Sequence, residues 1–209
     1  MVQVFLAVSP LATINRRYPS DVYGLGAPQL YSSPIDLEKP SPHCVQNNVP
    51  VKMKFLCIHG TGSNSRIMRV QIAPMRHELE DGHEFDFVEG VGTAPMSQDV
   101  AALASPDQSF YAFYDPSDYH GLRLAVDQLT SFVENEGPFD GVIGFSGGAV
   151  VAAMCILDKQ RRTDRAGLPF RYAIFVSSAE SKEAMVALGL DPQVDIIRIP
   201  TAHIHMGQA

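Results

Sequence analysis

The stretch Gly141-Val142-Ile143-Gly144-Phe145-Ser146-Gly147-Gly148 decides how the rest of this 209-residue chain is interpreted. An apolar run typical of a buried strand leads directly into Ser146, which has a glycine two positions away on either side. A G-x-S-x-G sequence between a strand and a helix indicates a very tight turn, because larger residues beside the serine would collide with both elements. Such a turn holds the Ser146 hydroxyl above the end of the sheet, which makes it a candidate nucleophile.

The residues on either side of this stretch support a nucleophile turn, which the five-residue G-x-S-x-G pattern alone would indicate only weakly. The preceding Gly137-Pro138-Phe139-Asp140-Gly141 predicts a turn, and the segment Ala149 to Leu157 is apolar on all sides, as a helix buried against a parallel sheet should be. The amide of Gly147, at the start of that helix, is placed to donate to an oxyanion. The alternative is an ordinary strand-to-helix turn that happens to contain a serine.

Composition restricts the class of protein. A net charge of -7 argues against a nucleic-acid partner, and 45% hydrophobic residues in a chain of this length predict one globular domain with a sizeable core. The three cysteines cannot form a closed disulfide set, which favours a reducing compartment and a cytoplasmic protein. No stretch approaches the roughly 20 apolar residues of a membrane span, so no membrane partner is expected.

Strand and helix patterns alternate after an atypical start. Residues 1–52 are rich in proline and show neither helical nor strand periodicity, which predicts an irregular or disordered N-terminal extension followed by a domain over 53–209. The alternation within that domain predicts an α/β fold with a mostly parallel sheet. The predicted elements are a strand at 53–58, a helix from a cap at Ser63 or Asn64 to Asp81-Gly82, a strand at 84–89, a helix over Leu122 to Val133, a strand at 141–143, a helix at 149–157, a strand at 171–177, a helix at 180–188 and a strand at 196–205 that contains Pro200.

The segment between about Gly90 and His120 has no regular pattern. A connection this long in a compact domain is usually functional or disordered, and its aromatic content argues against disorder. We therefore expect part of it to form a lid or a pocket wall. The candidate pocket residues are Phe110, Tyr111, Phe113 and Tyr114. The alternative is that these rings only pack the segment onto the body of the domain.

Several of these motifs resemble a known family. The stretches Phe55 to Gly60, Gly137 to Ala149 and Ile199 to His205 are similar to the fungal serine hydrolase family of the α/β-hydrolase fold. Within that family, Arg76 to His83 and Phe87 to Gly90 resemble the LovG-like esterases and thioesterases of fungal polyketide clusters. The resemblance runs from about Met53 to His205. It implies a three-layer α/β-hydrolase sandwich that lacks the final C-terminal elements.

The resemblance also implies roles for individual residues. Ser146 matches the nucleophile that forms an acyl-enzyme, and the backbone amides of Thr61 and Gly147 match the oxyanion hole. His59 matches a loop-forming element of the family rather than a catalytic base. The implied substrate is a small-molecule acyl or polyketide ester or thioester of secondary metabolism, with a polyketide synthase as a candidate partner. Neither a cofactor nor a metal is implied.

The chain departs from the family pattern at its end. The family's acid lies just beyond the strand that resembles Ile199 to His205, and its histidine lies further on, whereas this sequence closes with Met206-Gly207-Gln208-Ala209. No residue matches either one. His203 and His205 share one face of the predicted strand and are interpreted as strand residues, because a two-histidine metal site lacks a third ligand.

Two functions therefore remain open at this point. One is an esterase or thioesterase, with little or no turnover expected from a serine that has no base. The other is a catalytically inactive remnant that binds acyl ligands or a partner synthase. A phosphate-binding loop at Gly144 to Gly148 is disfavoured because the Walker lysine is missing.

Overall fold

Strands and helices alternate through the part of the chain that the computed structural model describes, residues 52–79, 82–162, 167–178 and 181–204. The expected N-terminal extension lies outside these residues, apart from Lys52. The strands are β1 (Lys54–Ile58), β2 (Glu84–Val88), β3 (Gly92–Thr93), β4 (Tyr111–Ala112), β5 (Gly141–Phe145), β6 (Tyr172–Val176) and β7 (Thr201–Ile204). The helices are α1 (Ser65–Gln71), α2 (Ala73–Glu78), α3 (Leu122–Glu136), α4 (Gly147–Arg162) and α5 (Lys182–Ala187), with a 3₁₀ turn at Gln98–Val100.

A parallel sheet with the strand order β2-β1-β5-β6-β7 forms the centre of the fold. The order reverses at β1, because β2 lies on one side of it and β5 on the other. In parallel sheets, ligands bind outside the carboxyl ends of the strands at such a switch point. Residues 59–61, which follow β1, and Ser146, which follows β5, are therefore brought to the same place by topology.

Helices cover both faces of this sheet, which gives three layers. On β1, Leu56 packs in a cluster with residues of α3 and α4, whereas its neighbour Cys57 packs in a second cluster with Met68 of α1. Leu56 and Cys57 are both 0% exposed, as expected for a strand buried on both faces. The α/β prediction with a mostly parallel sheet is confirmed. None of the described helices combines the length and the apolar character that a bilayer crossing requires.

The first predicted helix is divided into α1 and α2 at Ile72. The cap prediction is confirmed for Asn64, whose side-chain oxygen accepts a hydrogen bond of 2.9 Å from the amide of Ile67. The break follows from Pro74, which lacks an amide hydrogen and whose ring would collide with the carbonyl four residues earlier. Met68 and Ile72 are nevertheless buried, so the predicted apolar face is present on the divided helix.

Two other elements differ from their predictions. β7 begins only after Pro200, because proline cannot donate to a strand ladder, although the Pro200 carbonyl accepts a hydrogen bond from the Ala173 amide. The segment predicted to be irregular contains the two-stranded antiparallel pair β3-β4. Strands of two residues are too short to produce a detectable sequence period.

Candidate active site

Ser146 lies in the tight turn between β5 and α4. Its φ angle is 48°, a left-handed conformation that residues other than glycine rarely adopt. Backbone hydrogen bonds hold it there: its amide donates to the Val176 carbonyl at 2.9 Å, and its carbonyl accepts from the Ala149 amide at 2.9 Å. The residue is exposed although its neighbours on both sides are buried. This is the geometry expected of a nucleophile elbow.

The glycines around Ser146 are required by close backbone contacts. A Cβ atom on Gly144 would lie 2.5 Å from the Cα atom of Ala149, at the start of α4. A Cβ atom on Gly148 would lie 2.4 Å from the carbonyl oxygens of both Ile58 and His59. The first contact closes the turn, and the second lets α4 pack directly on the end of β1.

Thr61 and Gly147, the two candidate oxyanion donors, lie next to each other. A Cβ atom on Gly147 would lie 3.4 Å from the Thr61 amide nitrogen and 2.5 Å from its Oγ1. Gly147 begins α4, where the helix dipole favours negative charge. Two backbone donors next to a serine hydroxyl can stabilise the oxyanion that forms when the hydroxyl attacks a carbonyl.

The loop that carries Thr61 is braced by the segment between β2 and α3. The Gly62 amide donates to the Tyr111 carbonyl at 2.9 Å, and the Tyr111 amide donates to the Ser63 carbonyl at 2.8 Å. The Ser97 amide donates to the Gly62 carbonyl at 2.9 Å. These bonds restrain the position of the Thr61 peptide.

His59 is fully buried under this loop. Its Nδ1 lies 2.8 Å from the Gly60 carbonyl oxygen, and its Nε2 accepts a hydrogen bond of 3.0 Å from the Gly90 amide. Burial lowers the pKa of His59, so the ring is neutral at neutral pH and Nδ1–H is the donor. In a trans peptide the carbonyl and the following amide point in opposite directions. By holding the Gly60 carbonyl, His59 therefore orients the Thr61 amide.

Glu89 lies between this histidine and α1. Its Oε1 is 2.8 Å from His59 Nε2, which carries no proton in the neutral ring, and the carboxylate accepts hydrogen bonds from the Ser65 amide at 3.0 Å and the Ser65 hydroxyl at 2.9 Å. The contact with the carboxylate raises the pKa of His59, but less than burial lowers it. The carboxylate also lies at the positive end of the α1 dipole.

Ser146 opens onto a cavity of about 270 Å³. Thr61 and Gly147 line this cavity together with Tyr114, Tyr119 and Ser177. Every lining residue in the described chain is Ser, Thr, Tyr, Gly, Pro or Val, so none of them carries a charge at neutral pH. The cavity thus brings together the predicted nucleophile, both predicted oxyanion residues and one of the four predicted aromatic residues.

The other three aromatic residues lie elsewhere. Tyr111 belongs to β4, and the Phe110 carbonyl accepts a hydrogen bond from the Ala94 amide. Phe113 packs against the His59 ring, with 4.9 Å between ring centroids, and lines a separate cavity of about 180 Å³ beside α3. These positions correspond to the alternative that the rings pack the segment onto the domain.

Tyr119 and Ser177 are lining residues that sequence reasoning missed. Tyr119 belongs to the same aromatic segment, so its residue type could have indicated a place in the pocket wall. Ser177 directly follows β6, and the carboxyl ends of parallel strands share one edge of a sheet, so its sequence position could have indicated that it lies near Ser146.

The described histidines lie outside the lining of this cavity. His120 follows Tyr119 but is exposed. The ring of His203 packs on Phe175, with 5.3 Å between centroids, on the sheet face that α4 covers, as expected of a strand residue. His205 lies outside the described residues.

A larger cavity, about 410 Å³, lies at the amino ends of β5 and β6. Its charged residues are engaged in ion pairs, including Lys159 with Glu134 and Arg171 with Asp140. Its one thiol, Cys155, is buried, and burial raises its pKa to about 11, so the nucleophilic thiolate is absent at neutral pH. The described lining of this cavity supplies neither a thiolate nor a serine in an elbow turn, so the cavity at Ser146 is the candidate active site.

A strained serine at the carboxyl edge of a parallel sheet, beside two backbone donors, defines a serine hydrolase of the α/β class. Residues 49–208 match the family described as "Serine hydrolase (FSH1)". The chain belongs to this family, which confirms the resemblance to serine hydrolases of the α/β-hydrolase fold. By family resemblance it is an ester hydrolase.

Individual proteins agree with the family. The chain is 35% identical over 162 residues to "Esterase FPY3" of Fusarium mangiferae, covering 73% of this chain and 72% of that protein. It is 35% identical over 129 residues to "Hydrolase FUB4" of Gibberella moniliformis, covering 60% of this chain and 47% of that protein. The chain thus spans about three quarters of one relative and about half of the other. Among solved structures, the match to a carboxylesterase of Bacillus cereus covers 61% of this chain and 54% of that chain, with 16% identity and a TM-score of 0.41.

Proposed function

We propose that this protein is an esterase or thioesterase that acts on acyl or polyketide esters or thioesters of secondary metabolism. The observation that carries the proposal is the position of Ser146, strained and exposed at the cavity that Thr61 and Gly147 also line. The relatives named esterase FPY3 and hydrolase FUB4 support the reaction class. A polyketide synthase carrying the acyl group as a thioester is the partner that we propose.

The proposed reaction begins with attack by Ser146 Oγ on the ester or thioester carbonyl carbon. The carbonyl oxygen becomes an oxyanion, which the Thr61 and Gly147 amides stabilise. The bond to the alcohol or thiol then breaks, the serine proton ends on this leaving group, and the acyl group remains on Ser146. Water hydrolyses that acyl-enzyme, returning the proton to the serine and releasing the acid.

The two proton transfers decide how fast this chain turns over. None of the lining residues that the structure describes has an acidic or basic side chain, so these residues alone would leave both proton transfers to solvent. Removing the histidine from a serine triad costs about a million-fold in kcat, whereas an oxyanion hole and binding alone leave roughly 10³-fold over water. We expect slow acylation of Ser146 rather than rapid turnover.

A second function, an acyl-ligand binding module, is favoured by the same lining. The described lining residues offer hydroxyl groups and aromatic rings, and none of them is a charged side chain. A domain that binds the acyl group of a ligand or of a partner synthase without cleaving it needs only these features.

Labelling with a fluorophosphonate probe separates the two functions. The chain is incubated with the probe beside FPY3 as reference and a Ser146→Ala variant as control, and mass spectrometry gives the modified residue and its rate. We expect Ser146 of the wild type to be labelled at least 10³-fold more slowly than the reference, and no labelling in the variant.

Three outcomes are informative. Measurable labelling of Ser146, together with slow hydrolysis of a p-nitrophenyl ester, supports the hydrolase. A complete lack of labelling in a folded chain leaves the binding module. Labelling at the rate of the reference protein contradicts the expectation that acylation is slow.

A further inference from the structure

The described residues contain three non-glycine residues with left-handed backbone, and all three line the Ser146 cavity. They are Ser146 with φ 48°, Ser177 with φ 49° and Tyr119 with φ 60°. Strained residues persist where the surrounding structure holds them, and they cluster at sites where ligands bind. The nucleophile elbow requires a left-handed backbone at Ser146, but it does not explain the left-handed backbone at Ser177 and Tyr119.

Ser177 repeats the arrangement of Ser146 on the next strand. Phe145 of β5 pairs with Val176 of β6, so Ser146 and Ser177 occupy the next register position, one strand spacing of roughly 5 Å apart. The Ser177 amide donates to the Ile204 carbonyl at 2.8 Å, just as the Ser146 amide donates to Val176. The backbone of Ser177 is therefore held, while its hydroxyl has no hydrogen-bond partner in the described part of the chain.

Tyr114 and Tyr119 supply an aromatic wall. Their rings are 6.0 Å apart and nearly parallel, at 12°. Burial raises the pKa of Tyr114 to about 12, so its hydroxyl keeps its proton at neutral pH. The loop between them is closed by a hydrogen bond of 2.9 Å from the Asp115 amide to the His120 carbonyl, which restrains the two rings.

The described lining of the cavity disfavours a charged ligand, and the volume restricts its size. A carboxylate or phosphate placed against the uncharged lining residues that the structure describes would lose hydration without gaining a cationic partner from them, which is unfavourable. The net charge of -7 adds long-range repulsion of anions. A volume of about 270 Å³ is slightly below the lower limit of roughly 300 Å³ for sites that bind drug-sized ligands.

We propose that this cavity binds an uncharged acyl group of about the size of a substituted benzoyl group, whose ring packs on Tyr114 and Tyr119 and whose oxygen substituent hydrogen-bonds the Ser177 hydroxyl. Ser177 is then a specificity-determining residue. The inference rests on the proposed function, because it treats this cavity as the acyl site, but it concerns binding and does not depend on turnover.

The test measures dissociation constants by ligand-observed NMR for four methyl esters. The probes are methyl 3-hydroxybenzoate, methyl benzoate, methyl cyclohexanecarboxylate and monomethyl isophthalate, which carries a carboxylate. We expect the hydroxylated ester to bind roughly three- to tenfold more tightly than methyl benzoate, the value of one neutral hydrogen bond. We expect methyl benzoate to bind a few-fold more tightly than the cyclohexane ester, because of its aromatic contacts. The anionic ester should bind at least tenfold more weakly than methyl 3-hydroxybenzoate.

Ser177→Ala should abolish the preference for the hydroxylated ester and leave methyl benzoate affinity unchanged. Ser177→Gly should do the same while relieving the left-handed strain, which protects the test against loss of folding in the alanine variant. The matched control is Ser131→Ala on the exposed face of α3, which should keep the preference.

The inference is overturned if the anionic ester binds as tightly as the neutral ones, if the Ser177 variants keep the preference, or if none of the esters binds. These outcomes are distinguishable from failure of the proposed function. Selective binding of the esters without labelling of Ser146 contradicts the proposed hydrolase function and supports this inference. Labelling of Ser146 without selective binding supports the hydrolase function and contradicts this inference.

Discussion

At the scale of single residues, the buried side chain of His59 positions a backbone group of the candidate site although it does not line the cavity. Its neutral ring connects the Gly60 carbonyl, and through that peptide the Thr61 amide, to the Gly90 amide on the other side. The ring is 0% exposed. Leaving buried polar groups unpaired costs about 1–3 kcal/mol, so replacing this ring should be felt in stability.

We predict that the stabilising effect of His59 depends on pH. Because burial lowers its pKa in the folded chain, the unfolded chain binds a proton first as pH falls below about 6.5. The contribution of His59 to stability is therefore complete above that pH and is lost as pH falls towards the lowered pKa. His59→Gln should be destabilised by about 1–3 kcal/mol near pH 7.5, and its difference from the wild type should shrink towards pH 5 in urea unfolding.

The control for this prediction is His77→Gln, which changes an exposed histidine on α2. It should leave stability within about 0.5 kcal/mol of the wild type at both pH values. If the difference in unfolding free energy between His59→Gln and the wild type stays constant with pH, the prediction that folding lowers the pKa of His59 is contradicted.

At the scale of elements, the elbow depends on how closely α4 approaches β1. Gly148 is the contact point, since the carbonyls of Ile58 and His59 occupy the space that a side chain would need. Two effects of Gly148→Ala oppose each other. Helix propensity favours alanine over glycine by about 1 kcal/mol, whereas the steric conflict involves rigid backbone atoms and forces α4 away from the sheet.

We predict that the steric effect dominates. Gly148→Ala should destabilise the fold by about 1–3 kcal/mol in urea unfolding and should slow fluorophosphonate labelling, because α4 carries the Gly147 amide. The matched control is Gly92→Ala in β3, where an added Cβ would make an ordinary contact of 3.4 Å with the Ala112 carbonyl oxygen. Equal stability of the two variants would contradict the tight packing of α4 on β1.

At the scale of the whole molecule, stability depends on a sheet buried on both faces. Leu56 lies in the centre of β1 and is 0% exposed, whereas Leu124 on α3 is 58% exposed. Leu56→Ala should reduce the free energy of unfolding by about 2–5 kcal/mol, since it removes transfer energy and leaves a cavity. Leu124→Ala should change it by less than about 0.5 kcal/mol. Chemical denaturation measures both, and similar losses would contradict the three-layer core.

Much of this architecture could be predicted from local patterns. The apolar run before Ser146 and the all-apolar segment after it predict β5 and α4, and the spacing of Leu122, Val126, Leu129 and Val133 predicts α3. Glycine positions predict the turn, because steric exclusion acts between residues close in sequence. Where local prediction failed, the cause was equally local: Pro74 divides the first helix, and Pro200 delays β7.

The composition of the candidate site was decided by tertiary structure. Ser146 and Gly147 are adjacent in sequence, but Thr61 joins them only because β5 pairs with β1, and Ser177 only because β6 pairs with β5. Tyr119 faces the same cavity through a loop fold that has no sequence period. Strand pairing joins residues far apart in the chain and depends on how the whole sheet is ordered, so no short stretch of sequence encodes it, whereas the elbow is set by contacts between near neighbours.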